Sequence, residues 1–155
     1  MPSHYIYLIS SLPWLSFGVP TPFSSKNFLE VCRDKVPEED QILLESVVNL
    51  ESSEYKGRQL TLAKWCPFDK TLRNELVKIR AARKHIDPTK FIRSEEYIGA
   101  YPERLALVAY RSTSILEAEK MLDLARWHFL DELSLGHYFD LDILINLKTT
   151  VCYKN

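Results

Sequence analysis

"SILEAEKMLDLARWHFLDELSLG", Ser114 to Gly136, is the stretch whose reading decides the fold. Ser114 and Glu117 have the spacing of a capping box, in which each side chain satisfies the other's backbone donor at a helix start. Leu116, Leu122, Leu124, Ala125, Phe129 and Leu133 then recur at helical intervals. Gly136 stands where a left-handed residue closes a helix. A helix of this length, begun and ended by its own residues, sets the expectation for the rest of the chain.

Working outward, the same signals repeat. "PFDKTLRNELVKIRAARKH" (67–85) reads as a helix, with Phe68, Leu72, Leu76 and Ile79 on one side and basic residues around the rest. "GAYPERLALVAYR" (99–111) reads as another, with Pro102 near its start, and Phe139 to Leu147 as a final one. Asp87-Pro88 stops the basic helix and starts a short helical turn towards Arg93. Ser24 or Ser25 caps a helix from about Lys26, carrying Phe28, Leu29 and Cys32. Pro37 opens the next, whose first turn holds Glu38, Glu39 and Asp40, favourable against the positive helix end. Its apolar face is expected at Ile42, Leu43, Val47 and Leu50, before a loop at "ESSEYKG" (51–57). Only the opening stretch is ambiguous. Tyr5, Tyr7 and Ile9 alternate like a strand, while Tyr5, Leu8, Ile9 and Leu12 follow the helical stripe, and Pro13 ends either. The dominant pattern makes the chain all-α: a compact multi-helix bundle, one domain over residues 1–155.

Composition narrows the function. The 155 residues are 46% hydrophobic and 26% charged, with a net charge of −1, and can bury a core without staples. Three cysteines, with no CxxC, fit a reducing compartment better than a disulfide framework or a zinc knuckle. The apolar start has no preceding Lys or Arg, and serines and prolines break it up, so it reads as neither signal peptide nor membrane span. Four glycines form no phosphate cradle, and no HExxH or GxSxG occurs. His128 and Glu132 have a helical i, i+4 spacing that suits a metal, but no second ligand pair accompanies them. Trp127 lies about a quarter turn off the Leu122-Phe129-Leu133 line and is still expected to be largely buried. The reading is therefore non-enzymatic, with no cofactor and no small-molecule substrate.

The charge pattern supplies the one candidate surface. From Glu30 to Glu54 there are eight acids against Arg33 and Lys35; from Lys64 to Arg93 there are nine bases against Asp69, Glu75 and Asp87. Arg73, Arg80, Arg83 and Lys84 are the expected partner-binding residues. The competing expectation is internal pairing of these arginines with Glu38, Glu39 or Asp40. Nucleic acid is disfavoured, since the chain is not basic overall and lacks aromatic-basic interleaving.

"YIYLISSLPWLSFG" (5–18) with "PFSSKNFLEVCR" (22–33), "LRNELVKIRAARK" (72–84) and "EAEKMLDLARWHFLDELSLGHYFDLDIL" (117–144) together resemble an uncharacterised bacterial family encoded among V-type ATPase genes. That family in turn looks distantly like the C (or d) subunit of rotary V/A-type ATPases. The resemblance implies a helical fold, a non-catalytic subunit or assembly role, V-type ATPase subunits as partners, and indirect contact with a membrane. It also implies a cytoplasmic place, including the inner membrane face, and a helix rather than a strand at residues 5–12. "INLKTTVCYKN" (145–155) departs from the family's longer apolar helical segment, so the resemblance leaves two readings, a shortened member or a chain that lacks part of the domain. The alternative function is an anion-binding helical module that uses the basic helix 67–85 on nucleic acid or anionic lipid.

Overall fold

A computed structural model describes residues 5–47, 57–93, 97 and 99–154. Among these residues there are seven α-helices and no strand: α1 (Ile6–Ser11), α2 (Ser25–Cys32), α3 (Glu38–Ser46), α4 (Leu60–Lys84), α5 (Tyr101–Tyr110), α6 (Ile115–Leu133) and α7 (Leu141–Lys154). A 3₁₀ turn, Pro88–Lys90, lies between α4 and α5. The all-α expectation holds, and the opening stretch is a helix. None of the described helices is long and apolar enough to cross a membrane.

The chain divides into two units. One combines Met1–Ala63 with Phe129–Asn155; the other is Lys64–His128. In the first, α2, α3 and α7 pack on one another. Phe28, Cys32, Leu44, Leu144, Ile145 and Val151 are completely buried there. Ser24 caps α2 by accepting from the Asn27 amide at 3.1 Å, as its sequence position suggests. The Tyr5 hydroxyl donates to the Asp40 carboxylate, tying the start of α1 to α3. Burial, reinforced by that carboxylate, pushes the Tyr5 phenol well above its ordinary pKa. α7 holds Thr149, Thr150 and Val151, poor helix formers that burial overrides. The two threonines also satisfy their hydroxyls on the carbonyls of Ile145 (2.8 Å) and Asn146 (2.9 Å), one turn back.

In the second unit, Phe68 and Leu72 of α4 are completely buried. Phe68 meets Trp65, Tyr97 and Tyr101 at ring-centroid distances of 6.0, 5.7 and 6.0 Å, inside the range of favourable aromatic pairs. Asn74 of α4 is buried and grips the segment beyond the 3₁₀ turn from both sides. Its Nδ2 donates to the Arg93 carbonyl at 2.8 Å, and its Oδ1 accepts from the Arg93 amide at 3.1 Å. An amide side chain suits this because it offers a donor and an acceptor together.

Several expectations need correction. α4 begins at Leu60, seven residues before the expected start, and Pro67 lies inside it. Gln59 provides the start signal by accepting from the Leu62 amide at 2.7 Å. On α6, Leu116 and Leu124 are exposed and Leu130 is buried. Leu124 lies about 200° around the helix from Leu122, so the apolar set spans two faces. Ile42 of α3 is exposed for the same reason, with Leu44 and Val47 forming the buried pair. Leu50 and the loop over 51–56 lie outside the described residues. Trp127, by contrast, is largely covered as expected, though it is not among the fully buried residues. α7 runs seven residues past the expected end at Leu147.

Candidate functional site

The basic residues expected to dock are all on α4, but their settings differ. Arg73 is engaged within its own helix, its Nε 2.9 Å from Asp69. Asp69 also receives Arg126 of α6 at 3.1 Å. Arg80 faces Glu119 of α6 at 3.7 Å, with both side chains more than half exposed. Arg83 and Lys84 occupy the last turn, are exposed, and make no ion pair or hydrogen bond among the described residues. Arg80, Arg83 and Lys84 thus form one exposed basic end, and Arg73, its side chain 43% exposed, lies two turns earlier with Asp69 beside it. Within its own unit Arg73 meets Asp69 and Arg80 meets Glu119, and in the other unit Asp40 accepts from Tyr5.

The end of α4 is closed by a specific motif. His85 has a left-handed φ of +55°, the Ile86 amide donates to the Ala81 carbonyl at 3.0 Å, and the His85 amide donates to Ala82 at 3.2 Å. That is the paired hydrogen-bond pattern of a Schellman cap. Remaining carbonyl charge at this end favours the nearby cations. The cap gives Arg83 and Lys84 a defined backbone while their side chains stay in solvent.

His128 and Glu132 are both exposed and join no group of three metal-ligand side chains among the described residues. A different cluster does meet that description: His137, Asp140 and Asp142, each half-buried. Asp140 is the N-cap of α7; its Oδ1 accepts from the Ile143 amide at 3.2 Å. Asp142 sits in the first turn, and its Oδ1 accepts from Gln59 at 2.5 Å and from Thr61 at 2.6 Å. The other carboxylate oxygens turn inward. Asp140 Oδ2 is 2.6 Å and Asp142 Oδ2 3.7 Å from His137 Nδ1. Sequence reasoning missed this group, although the run His-x-x-Asp-x-Asp at a helix start was its available signal.

One buried charge was also missed. Lys148 of α7 is completely buried, and its Nζ donates to the Ser25 carbonyl at 3.1 Å and to the Ser25 hydroxyl. Burial pushes the amine below the ordinary lysine pKa, while Cys152, Cys32 and Glu45 pull in the opposite direction. Ser25 Oγ also lies 3.7 Å from Cys152 Sγ.

Comparison with protein-family models, with curated proteins and with solved structures finds no match to this chain.

Proposed function

We propose that this protein is a non-catalytic helical subunit or assembly factor of a bacterial V-type rotary ATPase, working by protein–protein docking. The resemblance of residues 5–18, 22–33, 72–84 and 117–144 supplies the ATPase association. The all-helical fold agrees with it. The observation that carries the docking role is the basic end of α4, where Arg83 and Lys84 project from a capped helix without a partner of their own. Its complement is an acidic protein surface. Arginine and lysine together provide long-range attraction, and the planar arginine fork adds paired hydrogen bonds to carboxylates. Exposed Leu107, Val108 and Tyr110 of α5 and Ile115 and Leu116 at the start of α6 offer apolar area for a second contact. On this reading the protein works in the cytoplasm, and reaches the inner membrane face only through the ATPase.

Affinity capture from the native cell tests the association. Rotary ATPase subunits should be recovered with the wild-type chain and lost with the Arg80→Glu, Arg83→Glu double variant. Both residues are exposed and their charge interactions are solvent-screened, so the variant should still fold and lose no more than about 1–2 kcal/mol. Capture without any ATPase subunit would reject the reading. Salt-dependent binding of the wild-type chain to nucleic acid or anionic vesicles, lost in the same variant, would favour the anion-binding alternative.

A further inference from the structure

We propose that His137, Asp140 and Asp142 bind one zinc ion, with water completing its coordination. The three ligand atoms lie within 4.8 Å of one another. One imidazole nitrogen faces two carboxylate oxygens, at 2.6 and 3.7 Å. That nitrogen carries at most one proton and satisfies only the nearer oxygen. The Asp142 oxygen at 3.7 Å lies beyond hydrogen-bond reach of that nitrogen, so two carboxylates and one imidazole converge on a partly buried spot that a divalent cation would neutralise. Zinc bonds of about 2.0–2.2 Å to nitrogen and oxygen place neighbouring ligands roughly 3.3 Å apart, between the two observed separations.

The carboxylates are also held from outside the cluster. Gln59 and Thr61, at the start of α4, fix Asp142 by one oxygen and leave the other aimed at His137. The Ile143 amide does the same for Asp140. Such outer hydrogen bonds orient metal ligands and are part of working metal sites. An imidazole with two carboxylates favours zinc over magnesium, which prefers an all-oxygen, largely hydrated shell. Because Asp142 is tied to Gln59 and Thr61, the ion would fasten the start of α7 to the start of α4. All of these residues belong to the same unit.

Zinc content and melting temperature of the full chain decide the matter. The wild-type protein should retain about one zinc after dialysis, and its melting temperature should rise with added zinc but not with magnesium. Asp140→Asn keeps an oxygen for the Ile143 amide while removing the carboxylate. It should fold normally yet bind zinc at least about 100-fold more weakly. His137→Ala should behave alike. No zinc retention and no thermal shift in the wild type would overturn the proposal, leaving the cluster as a helix cap. Zinc binding that persists unchanged in both variants would overturn it as well.

Discussion

Arg126 of α6 reaches Asp69 of α4 at 3.1 Å, and both side chains are only 13% exposed. Asp69 also takes Arg73, while Arg126 also takes Asp123 at 3.1 Å. Asp69 is therefore the centre of a small network, and Asp123, at 44% exposure, is its rim. Removing the central carboxylate leaves a largely buried guanidinium with only the half-exposed Asp123, which costs more than losing that rim carboxylate. Asp69→Ala should lower stability by about 2–4 kcal/mol, and Asp123→Ala by less than about 1 kcal/mol. Denaturant melts of the two variants measure this. Equal losses would show that burial does not set the strength of the network.

The two faces of α6 give a second contrast. Leu122 is 2% exposed and Leu116 is 64% exposed. Leu122→Ala leaves a cavity and should cost about 2–5 kcal/mol. Leu116→Ala should change stability by no more than about 0.5 kcal/mol. Thermal unfolding would refute the assigned helix orientation if the order were reversed.

Lys148 makes a prediction about pH. Its folded pKa is held below the ordinary lysine value of 10.5. The unfolded chain therefore binds the proton more tightly than the folded chain between the lowered pKa and 10.5. Through that window this residue's contribution to stability rises with pH. Lys148→Met keeps most of the volume and removes the charge, so it should melt at or above the wild-type temperature at neutral pH. The wild-type deficit should shrink as pH approaches 10. A variant clearly less stable than wild type at every pH would show that the bonds to Ser25 outweigh the cost of burying the amine.

The thiols respond the other way. Burial pushes both Cys32 and Cys66 up to about 11 from the ordinary 9.0. At pH 8 the reactive thiolate is then a minor form, near one part in a thousand. Iodoacetamide should leave both residues unmodified in the native chain while labelling them fully in denaturant, as read by mass spectrometry. Between pH 9 and 11 the folded chain keeps protons that the unfolded chain loses, so stability from these groups falls as pH rises through that range. Rapid native labelling of Cys32 at pH 8 would contradict its complete burial.

The sequence by itself determined most of the helices, because their signals are local. Ser24 is the cap of α2, and Ser114 directly precedes α6 at Ile115. The acidic first turn of α3 and Pro102 at the start of α5 are also where the pattern put them. Periodicity also located Phe68, Leu72, Leu122 and Ala125 in the interior. The tertiary structure decided what depends on residues distant in the chain. Ile6 to Ser11 is a helix although its pattern also suited a strand, and the hydroxyl of Tyr5, its N-cap residue, is tied to Asp40. α7 extends through Thr149, Thr150 and Val151 because burial outweighs their weak propensity. Arg73 is paired to Asp69, which Arg126 of the neighbouring helix also reaches, and Lys148 became a core residue through Ser25, 123 positions away. Periodicity records which residues share a helix face, but a charge's partner is set by how the helices pack, and no local pattern encodes that.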